Sequence, residues 1–365
     1  MNLYNDKRVV LTLDAGGTNF VFNAIQGGKA IIEDIRKDAN AHDLDLCIAT
    51  LKEGFREVLE TISEEPAAIS FAFPGPADYP NGIIGDLPNL PAFRGGVPLK
   101  PVLEEEFDLP VFINNDGDLY AYGEALGGIL PEINKKLEAA GSNKQYRNLF
   151  GITLGTGFGG GLVRDGQLFI GDNSTAAEIW LFSNRHAANA NAEDMVSTRA
   201  IQRVYAREAG IKYPNALMPK DIYDIAMGKG EGQQEAALTA YRETGKALGD
   251  TIANLLTLVD GIVVIGGGIT GARDLYMPAV FEELNGHFTP SNAEKLPRLV
   301  QKIFNLDDEK EVDAFCRDYS KEIPVPGSAK TVTYDPMARL AVGTSRIGGS
   351  EAISLGAYAF ALANV

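Results

Sequence analysis

Short, nearly unbroken apolar runs, each closed by glycine or proline, set the rhythm of this chain. Residues 9–13 and 20–25 are such runs, separated by Asp14-Ala15-Gly16-Gly17-Thr18-Asn19, and they predict two strands joined by a glycine turn. Gly16 and Gly17 are expected there at positive φ, which residues with a Cβ reach only at a cost. Gln26-Gly27-Gly28-Lys29 predicts a second turn, leading into a strand over 30–35. Leu44, Ile48, Leu51, Phe55, Val58, Leu59 and Ile62 then recur at helical spacing and mark one apolar face. Residues 69–73 form a short buried strand closed by Pro74-Gly75-Pro76. Strands, helix and strand in that order predict an α/β layer. Another strand over 110–113 ends in Asn114-Asn115-Asp116 and runs into the helical pattern of Leu119, Ala121, Tyr122 and Leu126.

The layout then repeats. A strand over 149–154 is followed by the run GTGFGGG, an apolar pair at Leu162-Val163, the turn Arg164-Asp165-Gly166-Gln167 and a strand over 168–170. Helical patterns cover 195–210 and 233–258, and a buried strand over 261–265 enters Gly266-Gly267-Gly268. Residues 350–362, small and apolar, predict a final helix. Three stretches lack a clear period. Residues 78–101 are rich in Gly and Pro and predict a long loop; 129–148 are polar and lysine-bearing and predict a surface insertion; 285–347 predict an irregular, charged surface elaboration. The expected division is residues 1–113 plus 348–365 as a small α/β domain, and 114–347 as a larger one.

Length and composition fit this picture. The 365 residues suit two domains with sizeable cores. A formal charge of −16 argues against a nucleic-acid surface, because there is no basic excess to neutralise phosphates. The same excess of acid disfavours an anionic membrane. Cys47 and Cys316 have no metal-ligand spacing, no apolar run reaches membrane-spanning length, and the N-terminus lacks an apolar signal region. A cytoplasmic protein is the expectation.

The chemistry sits at the glycine turns. A glycine hairpin points successive backbone N–H groups outward, a concavity that suits phosphate oxygens, with Thr18 and Asn19 at its rim. Asp14 beside it would repel a phosphate unless a divalent cation lay between, and Mg²⁺ reaches carboxylates directly or through its waters. The plain alternative is a hairpin with an acidic edge. Gly155-Thr156-Gly157-Phe158-Gly159-Gly160 matches the dinucleotide fingerprint G-x-G-x-x-G, but that fingerprint requires a helix next, and here a strand follows. No Walker sequence exists. Two phosphate hairpins, one opening each half, could instead clamp a nucleotide's phosphate tail, closing as the halves approach. Gly267 and Gly268 could let an adenosine lie against backbone, or simply form a tight strand-to-helix turn. Asn115-Asp116 fits a helix N-cap; equally, a carboxylate at the end of a parallel strand projects where ligands bind and could accept a hydroxyl proton during phosphoryl transfer.

Together these segments resemble the ROK family (repressors, uncharacterised reading frames and sugar kinases) of the actin-like ATPase superfamily. The match is carried by LTLDAGGTN at 11–19, FPGPADYPNGII at 73–84, PNLP at 88–91, NND at 114–116, LGTGFGGGLVRDGQL at 154–168, VVIGGGI at 263–269 and SLGAYAFA at 354–361. The resemblance implies two actin-like (ribonuclease H-like) α/β domains with a nucleotide and sugar cleft between them. It implies ATP-dependent phosphorylation of a hexose or amino-hexose, at the 6-hydroxyl, with a small-molecule sugar as partner and dimers common. Asp14, Gly16, Gly17, Thr18 and Asn19, with Gly155, Thr156, Gly157, Gly267 and Gly268, would then serve ATP, with Mg²⁺ held by Asp14 through water. Asn89, Asn115, Glu178 and Glu193 would hold the sugar, and Asp116 would be the base.

The sequence also departs from the family. The family's G-E-x-G-H motif falls on Ala177-Glu178-Ile179-Trp180-Leu181, so the histidine is replaced by Leu181. The cysteine cluster that completes the family's zinc site is missing from residues 182–193, and His186 alone cannot make a four-ligand site. No zinc is expected, and Trp180 reads as a core residue or as a platform for a sugar face. No helix-turn-helix precedes the first strand, so the family's DNA-binding branch is not expected. A non-catalytic sugar- or nucleotide-binding regulator is the alternative, although a regulator would not need both Asp14 and Asp116.

Overall fold

The computed structural model describes residues 3–87, 90–214, 216–291 and 294–365. The chain divides into two compact units, Met1–Gly128 with Gly161–Ala176 and Ile347–Val365, and Ile129–Gly160 with Ala177–Arg346. The boundary expected after residue 113 therefore lies inside the first unit, which keeps the whole helix that begins at Asp116.

In the first unit the run VVLTLDA forms the strand Val9–Ala15, paired antiparallel with Asn19–Gln26 and parallel with Pro66–Ala72. Pro66–Ala72 pairs in turn with Val111–Asn114, so three parallel strands share one sheet. The strand expected over 30–35 is instead two pieces, Lys29–Ala30 and Ile35–Asp38, both paired with Asn19–Gln26. Helix Leu44–Thr61 lies on this sheet as its apolar period predicts, with the Asp43 side chain accepting from the Leu46 N–H at 3.0 Å as N-cap. Its Phe55 ring meets Phe22 edge-on at 5.1 Å in a core that also buries Phe20, Phe71, Phe73 and Phe93. The described residues of the stretch 78–101 are no open loop. Ala77–Asp78, Ile83–Ile84 and Val97–Pro98 make a small three-stranded sheet, while Leu87, Leu90 and Phe93 enter the core. Apolar side chains spaced among glycines and prolines were enough to fold the segment back.

Helices Asp116–Leu126 and Gly349–Asn364 cross at contact distance. A Cβ on Gly123 would stand 1.9 Å from the Ala352 carbonyl oxygen, and one on Gly356 2.0 Å from that of Leu119. Two glycines thus let the C-terminal helix seat the helix that carries Asp116.

A second six-stranded sheet runs in the order Gln167–Leu168, Phe158–Arg164, Leu149–Leu154, Ile262–Gly266, Arg339–Thr344, Lys302–Asn305. The last four are parallel. The stretch 285–347, expected to be a surface elaboration, supplies two of these strands, and Arg339–Thr344 is buried along its whole length. Buried parallel strands need only a short apolar run, and LAV, framed by Arg and Gly-Thr, is easily overlooked. Arg339 itself is buried: Nε donates to the Phe315 carbonyl at 2.8 Å, Nη1 to Asp335 at 2.7 Å, and the guanidinium lies 4.9 Å from the Tyr319 ring. Residues 129–148 are likewise packed, as helix Ile129–Ala139 with Ile129, Leu130, Ile133 and Leu137 inside. No described helix is long and apolar enough to cross a membrane.

Two variants test these contacts. Gly356→Val should destabilise the protein by about 1–3 kcal/mol through overpacking, whereas Gly349→Ala, whose Cβ meets nothing within 4 Å, should be neutral or slightly stabilising. Arg339→Met should cost about 3–5 kcal/mol, because it orphans Asp335 and several carbonyls. Urea unfolding measures both, and equal midpoints for Gly356→Val and Gly349→Ala would refute the close crossing.

Candidate active site

The register of the first sheet places the acidic candidates on one edge. Asp14 pairs across to Ala72, and Ala72 to Asn114, so all three lie in one row at the carboxyl ends of the parallel strands. Two strand spacings put Asp14 and Asn114 about 10 Å apart at Cα. The row is where a parallel sheet presents ligand-binding residues. Asp14 is exposed, and its carboxylate makes no hydrogen bond or ion pair with the described residues.

The turn beyond it differs from expectation. Neither Gly16 nor Gly17 is among the positive-φ residues, which in this region begin at Gly27 and Gly28. Space is what constrains Gly16: its N–H donates to the Asn19 carbonyl at 3.1 Å, and a Cβ would stand 2.9 Å from that oxygen. Gly17, Thr18 and Asn19 are exposed, and the Thr18 carbonyl is fixed by the Ala39 N–H at 2.8 Å.

Asn115 and Asp116 divide the two tasks that either could perform. Asn115 is the N-cap, its side-chain oxygen accepting from the Gly117 N–H at 2.8 Å, and Asp116 is the first helical residue. One oxygen of Asp116 accepts from the same N–H at 2.8 Å. The Asn115 amide nitrogen donates to the Tyr79 hydroxyl at 3.3 Å, and that hydroxyl donates to the Phe73 carbonyl at 2.9 Å. Tyr79 went unnoticed in the sequence; a tyrosine inside FPGPADYPN is its only signal. As a residue Asp116 is exposed. Protein packed around its carboxyl nevertheless raises its pKa above the ordinary carboxylate value; the backbone N–H groups oppose the rise and the charge of Asp14 adds to it.

The second unit builds a matching edge. Thr153 pairs with Gly266, so the turn after Leu149–Leu154 and the turn after Ile262–Gly266 are neighbours. Gly155 donates to the Gly157 carbonyl at 3.0 Å, and both the N–H and the hydroxyl of Thr198 hold the Gly155 carbonyl at 2.9 Å. Thr156 and Gly157 are exposed. Gly267 takes φ 92°, and a Cβ there would meet the Leu154 carbonyl at 2.3 Å, while Gly268 faces open space. Glycine is needed at Gly267 on both counts.

Glu193 lies at this hairpin. One oxygen accepts from the Phe158 N–H at 3.0 Å, the other from Arg199 at 2.7 Å, and a Cβ on Gly157 would come within 3.2 Å of it. Glu178 is exposed and accepts from the Trp180 indole N–H, so Trp180 is half-exposed and oriented by a carboxylate rather than part of the core. Ala177 sits at φ 64°, the left-handed region, where the family motif has glycine. Leu181 is exposed, and residues Ser183–Asn184 and Ala187–Asn191 form a small β-hairpin. Among the described residues no cluster of three or more His, Cys, Asp or Glu could hold a metal ion. Asn89 lies outside the described residues.

The sequence pattern of the ROK family matches residues 10–303. The glucokinase of Thermotoga maritima is 26% identical over 309 residues, covering 78% of this chain and 90% of the relative. The N-acetyl-D-glucosamine kinase of Vibrio cholerae is 27% identical over 291 residues, 72% and 85% of the two chains. A crystal structure of a glucokinase from Parabacteroides distasonis superimposes with a TM-score of 0.92 at 49% identity over 100% of both chains. The chain belongs to the ROK family, with the actin-like fold of that family's sugar kinases.

Proposed function

We propose that the protein transfers the γ-phosphoryl group of ATP to the 6-hydroxyl of a hexose or amino-hexose. The observation that carries this reading is Asp116: a carboxylate with a raised pKa, first in its helix and relieved of capping by Asn115, on the same sheet edge as Asp14. As the sugar oxygen bonds to the γ-phosphorus and the bond to the ADP oxygen breaks, Asp116 accepts the hydroxyl proton. A pKa above the ordinary carboxylate value makes it a stronger base. The relatives named above support the substrate class and leave glucose and N-acetylglucosamine both open.

The other residues bind and orient. Asn115 spends its oxygen on the cap and one amide hydrogen on Tyr79, which leaves the second hydrogen for a sugar hydroxyl. Glu178 and Glu193 each retain free lone pairs beyond their present partners. The exposed turns at 16–19 and 155–157 offer backbone N–H groups to phosphate oxygens, and the open face at Gly268 suits an adenosine. The unpartnered carboxylate of Asp14 fits Mg²⁺, held through water, which when bound would neutralise charge on the phosphate tail.

Asp116→Asn isolates the base. Asn115 still caps the helix, so folding is preserved. The sign of the pKa shift goes further: a carboxyl whose pKa is higher folded than unfolded costs stability progressively as pH rises through that interval. At pH 7 the variant should therefore melt at the same temperature as the parent or higher, while kcat falls at least about 100-fold. The acid limb of kcat/KM for the parent should lie above the ordinary aspartate range. Retention of most of the kcat would remove Asp116 as base.

Asp14→Ala should raise the KM for Mg·ATP strongly while sparing sugar affinity measured without nucleotide. It should also lower the pKa of Asp116 in the ligand-free protein, by removing a like charge. A carboxyl-carbon NMR titration reads the second effect, and an unmoved Asp116 would show that the two groups are not coupled.

A further inference from the structure

A cluster of buried charge lies in the second unit, outside both hairpins. Asp250, in helix Gln234–Val259, and Glu283, in helix Arg273–Leu284, have side chains only 3% and 9% exposed. Each would be costly to bury alone. Two guanidinium groups balance them. Arg298, 7% exposed, lies 3.1 Å from Asp250 and donates to Asn254 at 2.8 Å. Arg185 bridges both acids, 3.5 Å from Asp250 and paired with Glu283.

Arg185 stands at the tip of the hairpin Ser183–Asn184 and Ala187–Asn191. Its own N–H donates to Asp250 at 3.2 Å. Beside it, buried Asn184 donates to the Ala247 carbonyl at 2.9 Å and accepts from the His186 N–H at 3.0 Å. The longer strand reads Ala-Ala-Asn-Ala-Asn and is only partly covered, so its small side chains bury little apolar area. Polar and ionic ties at the tip, not a hydrophobic anchor, hold this hairpin down. Its base is closed by the Ala192 N–H donating to the Phe182 carbonyl at 2.8 Å. Glu178 lies just before that base and Glu193 just after it.

We propose that Arg185 is a positioning residue for sugar binding: by fixing the hairpin tip on Asp250 and Glu283, it sets the places of Glu178 and Glu193. The inference rests on the reading that those two glutamates hold the sugar. The apolar alternative would have been cheaper in desolvation, but an ionic tie fixes direction as well as contact, since a guanidinium meets carboxylates in a fixed planar fork. Removing it leaves Asp250 to Arg298 and Glu283 to His186 at 3.7 Å, and leaves the hairpin tip to the bonds of Asn184 and of the residue 185 N–H.

Arg185→Met keeps the length of the side chain and removes the charge. The sugar KM should rise about tenfold or more, while the KM for ATP stays within about threefold. Hydrogen–deuterium exchange over 178–193 should quicken in the ligand-free protein. A second variant, Arg185→Met with Glu283→Gln, restores the charge balance. It should recover thermal stability yet keep the raised sugar KM and the faster exchange, because the hairpin is still untied; Arg185→Lys should recover part of both. If the single variant fails to fold, the double variant decides. An unchanged sugar KM or unchanged exchange in the folded variant would overturn the proposal and leave the cluster a packing feature. Glu178→Ala keeps the two levels apart: if it leaves the sugar KM unmoved, the sugar assignment fails, whatever Arg185 does.

Discussion

Two carboxylates on one sheet edge repel each other, and much of the first unit holds them there. Asp14 is set by the antiparallel hairpin and by the register to Ala72; Asp116 is set by Asn114 on the same row and by the helix that starts at once. Among the described residues neither is paired with a cation side chain. Asp116 responds by a raised pKa, and Asp14 stays exposed, where water or a metal ion can compensate it. An acidic edge left unneutralised by its own protein is suited to a ligand that brings positive charge with its negative charge, as a metal–nucleotide does.

The supports of that edge are steric. The helix beginning at Asp116 packs on the C-terminal helix through Gly123 and Gly356, each facing a carbonyl that a methyl group would strike. A sequence separation of more than two hundred residues therefore ends in backbone contact, and the placement of Asp116 depends on the last helix of the chain. The short apolar alternation of the first hairpin would not by itself fix where Asp116 points.

What the sequence disclosed follows the range of the forces involved. Hairpins with glycine turns, the helix Leu44–Thr61 and the strand-to-helix step at Asn115-Asp116 are local patterns, and each was legible. Strands Lys302–Asn305 and Arg339–Thr344 were not, because a buried parallel strand is defined by partners far away and its apolar run can be three residues long. Arg339, inside the stretch expected to be a charged surface elaboration, is interior, since carbonyls at 315 and 317 and the carboxylate of Asp335 satisfy it. Gly16 was rightly singled out for the wrong cause: proximity of the Asn19 carbonyl, not φ, excludes a side chain. The bond from Glu193 to the Phe158 N–H joins residues 35 apart and leaves no trace in spacing.

That last bond bears on how the second unit handles charge. A carboxylate on a backbone N–H of a phosphate hairpin occupies the kind of donor that a phosphate would seek, and Arg199 on its other oxygen offsets part of its charge. Glu193 is thus held by two donors and retains lone pairs on both oxygens. On the proposed function, a sugar hydroxyl donating to it would draw electron density from the same group that accepts from the hairpin N–H. On that reading, sugar contact and hairpin geometry would pass through one carboxylate. With Arg185 as the proposed positioning residue, the place of Glu193 would be set on one side by the Phe158 N–H and on the other by buried charge.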